Sequence, residues 1–448
     1  MKTLICIPCL LTGGTEIQTL NTVHALVQGG HEVTVACYFE HTPDMVERYR
    51  KAGAEVILFS PEGVRVGGYK SILFLYRHLR RAIRMVRPDV AHVQYMAPGA
   101  TVILLLWLMG VKNIIATAHT AADIYRDLRL IHFLQRHCLR AFTCITERAE
   151  CSFFGSSQLY THDMLLGRRN HFTIYNSLPV QLGGSCNEDV NEDVDPLRFI
   201  KVPLVPLEEG QCTKHYTLNA KQDNSHADFA DYTDSCKSLR PCTSGVSTEG
   251  SQLTVNSQQL TANSQEPTAK LVLGVVSRLE RIKGMDIVVP AFAEVLKMYP
   301  ETQLLVVGDG TLRPSMEEQA AQLGCADHIR FVGRQPQEEL PQWYSPMDIV
   351  LMPSRSEGFG LTAIEAMAHG CVMLASDVGG LPEVVRDGIC GLLHRTEDIA
   401  DMAAKICTLI GDEALYAQLR AQSLVEVEKY SFERYAALMN DLYNKLGR

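Results

Sequence analysis

Two carboxylates flank a glycine turn in the run SRSEGFGLTAIEAMAHG, from Ser354 to Gly370. Glu357 stands just before GFG, and Glu365 lies eight positions further on, inside an apolar helical pattern. A carboxylate offers two acceptor oxygens and so suits a pair of vicinal hydroxyls, as on a sugar or a ribose. Gly358 and Gly360 permit backbone angles that other residues avoid, and they let a ligand approach the main chain. The pattern predicts a helix beginning near Leu361. The N–H groups from about Phe359 to Thr362 would then lack helical partners and attract anions, phosphates above all. Each glutamate also has a plainer explanation. The macrodipole favours acids early in helices, which accounts for Glu365 alone, and Glu357 alone is a solvated loop residue. The pair around one glycine turn favours a ligand.

A second cluster lies in VVSRLERIKG, where Arg278 and Lys283 follow the end of a strand-like run. Taken alone this is as well read as a solvated basic turn. Beside a phosphate-binding helix terminus, two cations would neutralise a diphosphate without a metal ion. CIPC (Cys6 to Cys9) has redox spacing, but it sits in the first apolar run instead of opening a helix, so these cysteines are expected to be buried apolar residues. No second C-x-x-C is present to build a zinc site.

The elements that must carry these residues are short β-branched runs alternating with helical patterns. The first half has TLICIPCL, HEVTVACY, AEVILFS, DVAHVQ, NIIATAH, AFTCIT and FTIYN. The second has KLVLGVVS, QLLVVG, IRFVG, DIVLMPS and VMLAS. Such runs predict an α/β chain of two doubly wound, Rossmann-like units, each a parallel sheet covered on both faces. At 448 residues the chain exceeds what one core usually fills. The expected organisation is a Rossmann-like domain over 1–182, a polar insertion or linker over 183–269, a second Rossmann-like domain over 270–428, and a terminal helix over 429–448 packing back on the first domain. The insertion is rich in Ser, Thr, Asn, Gln and Asp and shows little hydrophobic periodicity. Its Asp193-Val194-Asp195 has the form of a metal-holding D-x-D, but it lies in a polar run, not at a strand end.

The net charge of −9 argues against nucleic acid as a partner. It is unevenly spread: residues 1–182 hold 19 Lys and Arg against 13 Asp and Glu, while 270–448 hold 17 against 25. The longest apolar run, Ala100–Val111, falls short of the roughly 20 residues that span a bilayer and reads as a buried helix. Met1 leads directly into a strand-like run, so a cytoplasmic location is expected. In SILFLYRHLRRAIRMVRPD, Ile72, Tyr76, Leu79, Ile83 and Val86 share a helical face, and Arg77, Arg80, Arg81, Arg84 and Arg87 fall mainly on the other. A solvated face over a core stripe explains this pattern. So does a patch resting on anionic lipid at the inner face of the membrane.

SRLERIKG, LLVVGDG, IRFVGRQPQEEL and EGFGLTAIEAMAHG together resemble the donor-binding half of the family 4 retaining glycosyltransferases, whose E-x7-E signature is matched by Glu357 and Glu365. TGGTE (Thr12 to Glu16), RPDVAHVQ, AHT and IYNS extend the resemblance through the first half. It implies the GT-B fold, with a nucleotide-sugar bound in the cleft between two domains and the acceptor held mainly by the first. Arg278 and Lys283 would hold the diphosphate and stabilise the leaving group. Glu365 would bind the ribose, and Glu357 the donor sugar. The backbone of Phe359, Gly360 and Leu361 would contact sugar and phosphates. Gly13 and Gly14 would form the facing loop, His119 would lie at the donor sugar and acceptor, and the base would lie near Arg334. No metal or other cofactor is implied. Ser277 stands where the family often has Gly, and Asn176-Ser177 where it often has Asn-Gly; neither removes a charged group. A nucleotide-sugar epimerase of like architecture and a non-catalytic nucleotide-sugar-binding protein are the alternatives. A dinucleotide oxidoreductase lacks its G-x-G-x-x-G.

Overall fold

A computed structural model describes residues 1–94, 99–122, 125, 127–164, 170–180 and 271–447. The polar stretch 183–269, with Asp193–Asp195, lies outside the described residues.

The first sheet is built from β1 (Lys2–Ile7), β2 (Glu32–Cys37), β3 (Glu55–Leu58), β4 (Val90–Gln94), β5 (Ile114–Ala118), β6 (Ala141–Cys144) and β7 (His171–Thr173). Its order is β3-β2-β1-β4-β5-β6-β7, and every pairing is parallel. The second contains β8 (Val272–Val276), β9 (Gln303–Val307), β10 (Ile329–Gly333), β11 (Ile349–Met352), β12 (Val372–Ser376) and β13 (Gly391–His394), in the order β10-β9-β8-β11-β12-β13 and again parallel. Helices cover both faces, so the inner strands are buried almost along their length, β1 from Thr3 to Ile7 and β12 throughout, while the edge strands β3 and β10 are only partly covered. Strand order reverses between β1 and β4 and between β8 and β11. In open α/β sheets that point leaves a crevice beyond the carboxyl ends of the strands. TGGT, SRLERIKG and PSRSEGFG all leave strands at these two places.

β13 lies where the sequence pattern shows no strand. It has four residues, pairs with β12 at the sheet edge, and carries no β-branched residue to mark it. The helix Gly99–Leu108 buries Val102, Ile103 and Leu106, but Trp107 and Leu108 are 42% and 65% exposed. This corrects the expectation of a wholly buried helix, because a helix on one face of a sheet buries one stripe. In the helix Tyr69–Val86 the buried stripe narrows to Leu75, Leu79 and Ala82. Ile72 and Tyr76, expected in the core, are exposed, because no layer covers the first turns.

The last helix, Phe432–Leu446, belongs to the first sheet's core. Phe432, Tyr435, Met439, Leu442 and Tyr443 pack with Ile5, Ile17, Leu20, Val23 and Val35. Tyr435 Oη lies 2.6 Å from Thr22 Oγ1, and Asn440 donates to the Ala25 carbonyl at 2.9 Å. The chain therefore begins and ends in one core. Leu442→Ala removes a wholly buried side chain. It should cost about 2–5 kcal/mol, read from the denaturation midpoint at unchanged slope.

Candidate active site

The glycine turn follows β11. Gly360 caps the helix Leu361–Ala368 with φ 103°, a left-handed angle natural only to glycine. Gly358 is required for a different reason: a Cβ there would fall 2.3 Å from the His119 carbonyl oxygen. The second half's turn thus touches the end of β5 in the first half. Phe359 is buried, its ring 5.5 Å from Tyr430 and 6.2 Å from Tyr175. It shares a cluster with Ile145 and Leu178 of the first half, which seats the turn on the opposing domain.

Across from it, Gly13 caps the helix Gly14–Gln28. A Cβ on Gly14 would lie 3.5 Å from Leu361 Cδ1, so the amino termini of the two helices stand close together. Two positive helix ends facing one crevice favour an anion between them. Thr362 is half-buried in the first turn of its helix.

Lys283 ends a one-turn 3-10 helix, Arg281–Lys283, just beyond β8. Its Nζ donates to Glu357 Oε2 at 2.6 Å, with side chains only 20% and 15% exposed. The fold therefore brings together a cation and a carboxylate from two loops 74 positions apart in the chain. Arg278 is exposed at the end of β8. Arg334, just beyond β10, is also exposed and reaches across to Thr12 Oγ1 at 3.2 Å.

Glu365 is 4% exposed. Tyr344 Oη donates to its Oε2 and Gln337 Nε2 to its Oε1, each at 2.9 Å. Burial pushes its carboxyl up to about 7, and those two hydrogen bonds restrain the rise. The fold holds the proton to about pH 7, whereas the unfolded chain loses it near 4.5. Between those values the folded state binds more protons, so this residue's contribution to stability falls as pH rises.

His119 follows β5 and is 6% exposed, its Nε2 2.8 Å from Gln94 Oε1. Burial lowers it to about 3, so it is neutral at physiological pH. Below it, His92 Nδ1 meets Tyr443 Oη at 2.8 Å, and His92 Nε2 meets Thr117 Oγ1 at 2.6 Å and Gln94 Nε2 at 3.4 Å. A polar chain thus runs from the last helix to His119. It borders a cavity of about 10 Å³, room for a single water, lined by Gln18, Thr22 and Asn176 among others. Gln94, Tyr344 and Gln337 were not singled out from the sequence. Gln94 carries a signal there, since it shares a strand face with His92 two residues before it. Tyr344 and Gln337 carry none.

Cys9 Sγ donates to Glu16 Oε1 at 3.1 Å and Cys6 is buried; the described cysteines are free thiols. Cys9 is half-buried, not part of the core as expected, because it lies past the end of β1. Among the described residues no three metal-binding side chains converge.

Two parallel Rossmann-like sheets with their strand ends turned to a common crevice define the GT-B class of fold. The same architecture occurs in Alr3699/HepE of Anabaena, crystallised with UDP, at TM-score 0.67 and 15% identity over 99% of this chain and 100% of that one. It occurs too in sucrose-phosphate synthase of Thermosynechococcus elongatus, at TM-score 0.64 and 18% identity over 100% and 99%. In sequence, residues 256–424 match the family Glycosyl transferases group 1, and residues 12–156 match Glycosyltransferase Family 4. The D-inositol 3-phosphate glycosyltransferase of Nocardia farcinica is 37% identical over 180 residues, 39% of this chain and 40% of that protein. Its counterpart in Corynebacterium urealyticum is 35% identical over 182 residues, 39% and 43%. The match spans about two fifths of the length of these curated relatives. The chain belongs to glycosyltransferase family 4.

Proposed function

We propose that the protein moves a hexosyl group from a nucleoside-diphosphate sugar to a hydroxyl acceptor, with retention at the anomeric carbon, in polysaccharide or glycolipid assembly. The observation that carries this is the Lys283–Glu357 pair, set in the crevice beside the amino terminus of the helix Leu361–Ala368. Breaking the bond from the anomeric carbon to the phosphate oxygen leaves positive charge on the sugar and negative charge on the diphosphate. Lys283, Arg278 and the helix terminus meet the negative charge as groups already in place. The acceptor oxygen bonds to the anomeric carbon from the same face, and its proton passes to the departing phosphate oxygen. Glu357 holds sugar hydroxyls and need not form a covalent intermediate. Neutral His119 stands where donor sugar and acceptor meet. The base lies by Arg334. Because the positive charge comes from side chains and backbone, a chelator should leave the rate unchanged.

The Anabaena protein was crystallised with UDP, so UDP-sugars are the first donors to test, with GDP- and ADP-sugars beside them. The matching donor should raise the melting temperature, and the rise should grow with the logarithm of donor concentration above its Kd. It should release nucleoside diphosphate when a hydroxyl acceptor is added. Donor conversion without an acceptor would mark an epimerase instead. No shift with any nucleotide sugar would overturn the proposal.

Glu365 accepts ribose hydroxyls in this reading, and it does so better once ionised. With its carboxyl near 7, about a tenth is ionised at pH 6 and about nine tenths at pH 8. Nucleotide affinity should therefore rise about tenfold from pH 6 to pH 8. Glu365→Gln should flatten that profile in calorimetric titrations.

The second partner in this proposal is an anionic membrane. Arg77, Arg80, Arg81, Arg84 and Arg87 are exposed, and Tyr69, Ile72, Leu73 and Tyr76 stand out of the same helix. No helix among the described residues is long and apolar enough to cross a membrane, so contact through this helix would be peripheral, at the inner face of the cytoplasmic membrane. Vesicles containing anionic lipid should retain the protein at moderate salt. Absence of binding at low salt would remove this partner.

A further inference from the structure

Lys283 reaches Glu357 from a single 3-10 turn, an element too short to hold a side chain firmly on its own. Something else must fix it, and the contacts converge on Arg355. Its backbone N–H donates to the Ile282 carbonyl at 2.9 Å. Its Nη1 donates to the Arg281 carbonyl at 2.5 Å and to Asp286 Oδ1 at 2.6 Å, while Nη2 donates to Asp286 Oδ2 at 2.9 Å. Nε donates to Glu397 Oε1 at 2.5 Å. The guanidinium fork thus grips the Asp286 carboxylate with two parallel bonds, the geometry that constrains orientation most strongly. Position in the chain makes this consequential. Asp286 lies three residues beyond Lys283, and Arg355 two before Glu357. The fork ties together the two segments whose side chains form the ion pair. Gly284 completes the junction, its backbone so close to the Pro353 carbonyl that a Cβ would fall 1.8 Å from that oxygen. Arg355 is itself 17% exposed and committed to these partners, so it is not placed to bind ligand.

We propose that Arg355, through Asp286 and the Arg281–Lys283 turn, is a positioning residue that holds Lys283 at the diphosphate. The inference rests on the assignment of Lys283 as a diphosphate-binding cation. A merely structural arginine would weaken the fold whether or not Lys283 were present. A positioning arginine acts only through it.

A double-mutant cycle on nucleoside-diphosphate affinity separates the two, with UDP or GDP as probe in isothermal titration calorimetry on the full chain. Lys283→Ala should weaken binding about tenfold, and Arg355→Ala roughly fivefold. The double variant should bind no more than about twofold more weakly than Lys283→Ala alone. Asp286→Asn should behave as Arg355→Ala does, and it serves as the second variant if the arginine substitution fails to fold. Additive losses in the double variant, or unchanged affinity in both Arg355→Ala and Asp286→Asn beside a clear loss in Lys283→Ala, would overturn the positioning role while leaving the donor site in place. Unchanged affinity in Lys283→Ala would overturn the donor-site assignment, and the role of Arg355 with it.

Discussion

Lys283→Ala should lower turnover by about 100- to 1,000-fold, the usual loss when one preorganised group facing developing charge is removed. The reason is local. The side chain is largely buried, its ammonium 2.6 Å from Glu357 and beside a helix amino terminus. A charge in such a place needs no reorganisation as the diphosphate departs, and screening by water is weak. Ground-state affinity for the nucleotide-sugar donor should fall less, by about tenfold, because the charge that Lys283 meets is greatest when the sugar leaves. Initial rates at saturating donor, with melting temperature as the control for folding, provide the check. A variant that turns over normally would show that Lys283 is only the structural partner of Glu357.

Glu357→Gln should produce a loss of similar size in turnover with the opposite sign in binding. The amide keeps the shape and one acceptor but gives up the charge that steadies the sugar as it becomes cationic, so turnover should fall about 100-fold. The negative charge of Glu357 also repels a diphosphate and occupies Lys283. Without it, nucleoside-diphosphate affinity should hold or tighten by a few-fold. Calorimetry and initial rates on one preparation distinguish the outcomes. If Glu357→Gln weakened nucleotide binding as much as Lys283→Ala, the glutamate would serve mainly to hold the lysine in place. The contrast in sign is informative because the two residues form one ion pair, and a general loss of structure would move both variants the same way.

Much of the fold is legible along the chain. Parallel strands buried on both faces must be apolar throughout, so TLICIPCL, KLVLGVVS and DIVLMPS stand out without alignment or structure. The glycine turn and the helix after it are equally local: Gly360 takes the left-handed angle that its type suggests, and the helix begins at Leu361. β13 is missed because GLLH carries no β-branched residue, whereas EVIL, the equally short edge strand β3, has two. Ile72 and Tyr76 share a face with Leu79, yet they are exposed, because periodicity reports which residues align and not whether another layer covers them.

The site divides in the same way. The types and spacing of Glu357, Glu365, Arg278 and Lys283 mark a place suited to phosphate and hydroxyls, since charge, acceptor number and helix termini are properties of short segments. Their relations to one another come from elsewhere. Glu365 is an ordinary early-helix acid until the fold buries it, which raises its carboxyl to about 7 against the restraint of hydrogen bonds from Tyr344 and Gln337. Lys283 and Glu357 become a pair because β8 and β11 are neighbours at the point where strand order reverses. Gly358 meets His119, and Gly14 meets Leu361, because aromatic packing around Phe359 seats one domain on the other. Arg355 shows the difference most clearly: in the chain it is one more polar residue before a glycine turn, and in the fold it grips Asp286. Backbone preference and amphipathic period act over a few residues and leave their mark in composition. Ion pairing, desolvation and close approach depend on distances that a linear chain does not contain until its sheets are assembled.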